Sequence, residues 1–409
     1  MRETAQPAAH PWPAEVFRPF PEAPGIVFAR AAARSALFTG PDRTVPDGTG
    51  TGPGPGRDGD DVVIGSAAGA HPQDSARRAR SELVERMANI VAGRTAETAR
   101  TVVATHGELR RAGRPAVDPA LLVGASGVSD DLRDAPGLWA VGRWQSTGRE
   151  VLVPAAAVYL RHRPPPGCQA ALGAGSTGLA AHPDEASAEA HAQWETLERD
   201  LIRRSWYGDG SVSPTTVSWQ PEPVMRSALA LLGVEAVAFL LPAPAGAACV
   251  VVCVHRPDRT GQAFGARCGP AGQVPALAEK AAYEALMVRW SMGTEVARRT
   301  WAQWAGRTSP GTALQHALWT YHRQDSLGLW LTDPGPAAPR PPVTATTGPA
   351  ALLSAHTGED LVVVPTPTPL AEEAGLHVVR VVAPGARPLP ARPPVTTGRG
   401  RADHPHPFG

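Results

Sequence analysis

The sequence predicts a mixed α/β fold, and three features carry that expectation. Apolar, β-branched runs bounded by Gly and Pro recur along the chain as strands do, and long helical segments lie between them. Strands and helices also alternate rather than segregate, with no fixed-period repeat of the solenoid kind. At 409 residues, 43% apolar and 19% charged, the chain can form one large or two ordinary globular units with a substantial core.

Taken in order, residues 1–60 are expected to be a flexible N-terminal segment and linker. The run Gly48-Thr49-Gly50-Thr51-Gly52-Pro53-Gly54-Pro55-Gly56 has no apolar anchor with which to order itself. Asp61–Gly65 (DVVIG) predicts a short strand. Pro72 then opens a helix that runs through Ala76–Val91, because a first turn does not need the amide hydrogen that proline lacks. Leu138–Leu160 predicts two strands around the turn Ser146-Thr147-Gly148, and a second helix runs from near Pro183 to about Trp206. The apolar run Val234–Val254, interrupted at Pro242–Gly246, predicts a buried hairpin rather than a long helix. A third helix spans Pro275–Trp290. Residues 333–349 read as a linker, Leu361–Pro365 and His377–Ala383 as two more strands, and the Pro- and Arg-rich chain after Pro388 as extended. The resulting plan is a segment 1–60, a main domain 61–390 and a Pro-rich tail 391–409.

Composition excludes several functions. A net charge of +1 gives no electrostatic reason to expect nucleic acid or an anionic membrane as the main partner. The N-terminus lacks the apolar run of a secretory signal, and no stretch reaches the roughly 20 apolar residues that span a bilayer, so a cytoplasmic protein is expected. Cys168, Cys249, Cys253 and Cys268 form no close C-x2-C pair, and buried free thiols are expected. Among 39 basic residues Lys280 is the single lysine, which rules out a Walker-type G-x-x-x-x-G-K-[ST] loop. Phosphate chemistry would have to rest on arginine, backbone amides and carboxylate-bound Mg2+.

The first predicted helix contains Glu82-Leu83-Val84-Glu85-Arg86 and the second Glu195-Thr196-Leu197-Glu198-Arg199, so E-x-x-E-R occurs twice. Residues three apart share a helix face, and each pair therefore projects two carboxylates toward one point, which suits Mg2+. A solvated pairing of Glu82 with Arg86 and of Glu195 with Arg199 is the plainer reading of either copy alone. A third related helix, with Glu284 and Arg289, weighs against it.

These blocks resemble the YcaO-domain family. Gly69–Arg86 (GAHPQDSARRARSELVER) is similar to the family's glycine turn and A-x-x-E-x-x-E-R helix. Ser176–Asp200 (STGLAAHPDEASAEAHAQWETLERD) is similar to its S-x-G-L-A segment and E-x-x-E-R-D helix. Val378–Gly385 (VVRVVAPG) resembles its V-V-R-V-x-x-P-G strand, and His404–Gly409 (HPHPFG) the proline-patterned tail of azoline-forming members. The resemblance implies ATP and Mg2+ as cofactors, with Glu82, Glu85, Arg86, Glu195, Glu198, Arg199, Glu284, Arg289 and Arg380 at the nucleotide. Of these, Glu82, Glu85, Glu195 and Glu198 would hold the metal. It also implies a catalytic tail including Pro405, Pro407 and Gly409. The implied reaction is ATP-dependent cyclodehydration of Cys, Ser or Thr in a ribosomal precursor peptide to thiazoline or oxazoline, the precursors of thiazole and oxazole. A separate leader-peptide-binding partner protein is expected, and a homodimer is compatible with the pattern.

The sequence departs from the family at identifiable places. Ala67-Ala68-Gly69 stands where members carry G-K-G, with no cationic side chain beside it, while Pro183, Ser187 and Met287 replace Asn, Glu and Gln. The chain ends in Gly409 rather than proline. A non-catalytic peptide- or partner-binding subunit is therefore a second reading, and thioamide or amidine formation a third. Gly173–Gly178 fits G-x-G-x-x-G, but Pro183 puts the helix start several residues beyond where a dinucleotide site needs it. Ser176 lacks a G-x-S-x-G elbow. His71 and His182 read as loop residues, and Trp290, Trp301, Trp304 and Trp319 as core or the cover of a peptide groove.

Overall fold

The structure is a computed structural model that describes residues 12–39, 62–99, 102–122, 131–168, 172, 175–208, 213–305, 307–331, 348–390 and 403–408. Its elements begin with β1 (Ala14–Phe17), β2 (Val27–Arg34), α1 (Ala36–Thr39), β3 (Val62–Gly69) and α2 (Pro72–Ala99). There follow β4 (Val103–Ala104), α3 (His106–Arg111), α4 (Asp131–Asp134), β5 (Gly137–Trp144), β6 (Glu150–Pro154) and α5 (Ala155–Val158). Next come β7 (Leu179–His182), α6 (Glu185–Tyr207), β8 (Thr215–Thr216), α7 (Pro223–Leu231), β9 (Glu235–Leu241), β10 (Ala247–His255), β11 (Ala263–Pro270) and α8 (Val274–Ser291). The last are α9 (Glu295–Trp304), α10 (Ala313–His322), α11 (Ser326–Leu331), α12 (Pro349–Thr357), β12 (Val362–Pro365), α13 (Pro369–Glu373) and β13 (His377–Val382).

Three antiparallel sheets result. Their strand orders are β1-β2-β3, β11-β10-β9-β8 and β4-β5-β12-β13-β7, with β6 also pairing β5. The hairpin expected in Val234–Val254 is β9 and β10, in the register Cys249↔Leu241. Every residue of β10 is buried. Its odd face (Cys249, Val251, Cys253) enters a core with Phe239, Trp206 and Trp330, and its even face (Ala248, Val250, Val252, Val254) a second core with Ala278, Ala281 and Leu286 of α8. A strand covered on both faces reads as a continuous apolar run, and each fully buried Val contributes roughly 1.5–3 kcal/mol.

Two sequence expectations need correction. Residues 12–39 are not part of a flexible lead-in: β2 pairs along its length with β3, and Ile26 and Phe28 are core residues. Alternation along β2, with Ala29, Ala31 and Ala33 facing in and Arg30 and Arg34 out, is the signal that was passed over. The Gly48–Gly56 run lies outside the described residues. In Leu138–Leu160 the second strand ends at Pro154, and Ala155–Val158 form a helical turn, as an Ala-rich run after proline prefers. Among the described residues, no helix is long and apolar enough to cross a membrane.

Candidate active site

The carboxylates are set in place by close contacts between strand and helix. A Cβ on Gly65 of β3 would lie 2.1 Å from the Ala79 carbonyl oxygen and 2.4 Å from the Leu83 nitrogen of α2. A Cβ on Gly265 of β11 would lie 2.1 Å from the Ala281 oxygen and 2.7 Å from the Ala285 nitrogen of α8. In both cases a glycine admits the helix backbone at an alanine, and a glutamate, Glu82 or Glu284, follows three residues later. Helix α6 repeats the pattern with Ala192 and Glu195, and its Thr196 Oγ1 would stand 2.7 Å from a Cβ on Gly178, a glycine at φ +77. The spacing A-x-x-E thus seats α2 and α8 on strand glycines, with a glutamate three residues beyond each contact.

Glu82, Glu195 and Glu198 accept hydrogen bonds from backbone amides in or beside the strands. Ser66 N–H donates to Glu82 Oε2 at 2.7 Å, Gly178 N–H to Glu195 Oε2 at 3.2 Å and Cys268 N–H to Glu198 Oε2 at 2.9 Å. Arg86 pairs with Glu82 at 2.5 Å and donates to the Ile64 carbonyl, while Arg78 donates to the Ala68 carbonyl at 2.6 Å. Arg78, Glu82 and Arg86 share one face of α2 and cap the open edge of β3. Arg267 of β11 pairs with Glu284 at 3.0 Å, and Arg199 Nε lies 3.7 Å from Glu198 Oε1. Arg380 of β13 is 5% exposed and donates to the Gly175 and Ala157 carbonyls, at 2.7 and 3.3 Å, which ties β13 to the turn before β7.

The electrostatics show that these groups face one another. Burial pushes Glu85 well above the usual carboxylate range, and the charges of Glu195 and Glu82 add to it. Burial raises Glu195 against the pull of Arg199, Arg380 and Arg267. Glu198 is raised to about 7, by burial first, with Glu284 and Glu195 adding and Arg199 and Arg267 opposing. Glu284 and then Glu198 hold Arg267 above its ordinary value. Burial lowers Arg380 to about 10 although Glu195 and Glu85 favour its charge. Glu85, Glu195, Arg199 and Glu284 keep partial exposure, so they line a cleft rather than a closed core.

Glu198 Oε1 is buried with no hydrogen-bond partner among the described residues, and crowded carboxylates with raised pKa values are the surroundings that a bound cation relieves. Among the described residues no three His, Cys, Asp or Glu side chains come close enough to hold a metal ion by themselves. A metal here would need ligands beyond the protein, as Mg2+ bound with phosphates has.

Glu82, Glu85, Arg86, Glu195, Glu198, Arg199, Glu284 and Arg380 are thus brought together, but Arg289 is not. It lies five residues beyond Glu284, about 7.5 Å along α8, where it donates to the Gly261 carbonyl and lies over the Tyr321 ring. The tail does reach the site's flank. Pro405, His406, Pro407 and Phe408 are buried, Gln324 donates to the Pro405 carbonyl at 2.8 Å, and Phe408 packs on Trp330 and Phe264. The Arg199 charge is felt at His406. Gly409 lies outside the described residues.

Sequence reasoning missed Arg267 and Arg78. Arg267 follows Gly265 as Ala67 follows Gly65, so aligning IGSAAG with FGARCG would have found it. Arg78, one turn before Glu82, supplies from the helix the cation that the strand end Ala67-Ala68-Gly69 lacks. Lys280 and His191 stand near each other on the rim, for burial, His182, Lys280 and Arg267 together lower His191.

A cleft floored by carboxylates and edged by arginines is the layout of a protein that takes a metal-bound polyphosphate. Comparison with known proteins narrows the class: the family model described as YcaO cyclodehydratase, ATP- and Mg2+-binding, matches residues 65–387. The chain belongs to the YcaO cyclodehydratase family and is an enzyme of that ATP- and Mg2+-binding group. Its fold is similar to that of YcaO from Methanopyrus kandleri bound with AMPPCP and Mg2+, at 18% identity and a TM-score of 0.58 over 91% of this chain and 85% of that one. A heterocyclase in complex with substrate and cofactor gives 19% and 0.64 over 95% of this chain, which spans 51% of that one. The E. coli microcin synthetase McbBCD complex with pro-MccB17 bound gives 13% and 0.63 over 98% of both chains. No curated protein is similar enough in sequence to count as a match.

Proposed function

We propose that the protein uses ATP to convert Cys, Ser or Thr residues of a ribosomally made precursor peptide to thiazoline or oxazoline, acting with a separate protein that binds the peptide's leader. The observation that carries this reading is the convergence of Glu82 and Glu85 from α2, Glu195 and Glu198 from α6 and Glu284 from α8, with Arg199 and Arg267, on one cleft. A heterocyclase of similar fold is in complex with substrate and cofactor, and another protein of similar fold is bound with AMPPCP and Mg2+, which supports both halves of the proposal.

In the reaction, the peptide's side-chain sulfur or oxygen bonds to the preceding carbonyl carbon. That bond closes the ring; the carbonyl oxygen then leaves as phosphate, the side-chain and amide protons are lost, and the former amide C–N bond becomes C=N. Bound ATP supplies the phosphoryl group that makes this oxygen a leaving group, and Mg2+ spreads the charge of the transfer. Glu82, Glu85, Glu195 and Glu198 are the candidate metal ligands, no more than two of them to any one ion, with phosphate oxygens completing the shell. Arg86 orients Glu82 through its 2.5 Å pair, and Arg199 and Arg267 face the cleft with the charge that phosphate oxygens need. Arg78 and Lys280 complete a basic rim. Arg380 fixes the Gly175–Gly178 turn from which Gly178 N–H holds Glu195. The tail, anchored by Phe408, would serve this site through Pro405 and Pro407.

The test is mass spectrometry of a candidate precursor incubated with the protein, its partner, ATP and Mg2+. Loss of one water mass per ring is expected from the native protein and not from a Glu82→Gln/Glu195→Gln double variant. An unchanged peptide in both would count against the assignment.

A further inference from the structure

The surroundings of Arg289 define a second charged centre. At the turn between β10 and β11, Gly261 has φ +63, and a Cβ there would lie 3.1 Å from Arg256 Nη1, 3.1 Å from Arg289 Nη1 and 3.4 Å from Tyr321. Two guanidinium groups therefore converge on one glycine. Each is held by a neutral group: Arg256 donates to Thr260 Oγ1 at 3.3 Å and Arg289 to the Gly261 carbonyl at 2.6 Å. The nearby acids are engaged elsewhere. Asp258 accepts from Thr260 N–H and Oγ1–H, and Asp325 pairs with Arg259 and accepts from Gln262. Among the described residues neither Arg256 nor Arg289 has a carboxylate within ion-pairing distance.

Beside this pair the surface is aromatic. The His322 ring stacks on Trp301 at 4.4 Å, and the Arg323 guanidinium lies 5.6 Å from the centres of both Trp301 and Trp319. Burial and then Arg256 lower His322, and burial lowers Arg289 with Arg256 adding, so the local field is positive. Like charges held together in this way favour an anion, and an arginine fork matches a carboxylate with two parallel hydrogen bonds. Arg256, His322 and Arg323 are exposed, which suits an extended segment laid across the surface better than an enclosed small molecule. Arg289 lies about 7.5 Å along α8 from Glu284, and Gly261 precedes β11, so this centre adjoins the carboxylate cleft but shares no side chain with it.

We propose that Arg256 and Arg289 bind carboxylate side chains of an acidic peptide segment laid across this surface. Identifying that segment with part of the precursor rests on the reaction proposed above; the binding site itself does not. The test uses the full chain and the anisotropy of fluorescein-labelled hexaglutamate, with hexaglutamine as the neutral control. Hexaglutamate should bind and hexaglutamine should not, and added salt should weaken the complex. Arg256→Gln, at an exposed position, should weaken binding by about tenfold or more. Arg289→Lys, which keeps the charge and loses the fork, should weaken it severalfold. Equal binding by the native protein and both variants would overturn the proposal. Displacement of the peptide by inorganic phosphate or ATP would reassign the centre to phosphate, and displacement by a single-stranded oligonucleotide to nucleic acid. The water-loss assay is read separately, so failure here is distinguishable from failure of the cyclodehydratase reading.

Discussion

Glu198 is 2% exposed, carries one carboxylate oxygen without a hydrogen-bond partner, and is raised to about 7 by burial. An acid whose folded pKa lies above its unfolded value of 4.5 binds more protons when folded, so stability falls as pH rises through that window. In the metal-free protein, Glu198→Gln should therefore raise stability at pH 8 by roughly 1–3 kcal/mol, because the amide carries no charge to desolvate. The gain should fade toward pH 4, and thermal unfolding against pH measures it. The same variant should lose ATP-dependent activity, because a neutral amide is a poor Mg2+ ligand. A native-like activity would remove Glu198 from the metal site.

At the scale of elements, the decisive contact is a helix backbone seated on a strand glycine. Gly265→Ala would put a methyl group 2.1 Å from the Ala281 carbonyl and force α8 off β11. It should cost about 1–3 kcal/mol, as overpacking does, and lower activity by displacing Glu284 from Arg267. Gly137→Ala, where nothing lies within 4 Å, should be neutral and serves as the control for denaturant unfolding. The long helices were legible in the sequence because proline starts and paired glutamates mark them locally. The partners of Arg380 were not, since Arg380 meets Gly175 across 205 residues, whereas β2 carries the local alternation of a half-buried strand and could have been read from it. Arg289 was misplaced for a related reason. Its helix position was read correctly, but the carbonyl it meets, that of Gly261, lies 28 residues away in sequence and is not marked by any local pattern.

At the scale of the whole molecule, the tail closes the structure. Trp206 donates to the His404 carbonyl at 2.8 Å, His316 to the His406 carbonyl at 3.0 Å and His406 to the Pro390 carbonyl at 3.0 Å. Burial, with the stacked His316, depresses His406 to about 3. A histidine depressed on folding adds stability that is present above its unfolded value of 6.5 and is lost progressively as pH falls toward 3. The tail should therefore loosen on acidification, read as a red shift of tryptophan emission, and His406→Gln should flatten that response. Phe408→Ala should cost about 2–4 kcal/mol through its lost contacts with Trp330 and Phe264. If the tail also serves the cleft, turnover should fall more steeply than stability.

If the cleft transfers a phosphoryl group to a peptide amide oxygen, an oxygen-18 label at the reacting amide of the precursor follows that atom directly. The label should appear in the inorganic phosphate as the peptide loses one water mass per ring. Label retained in the peptide, or released as water while phosphate stays unlabelled, would contradict it.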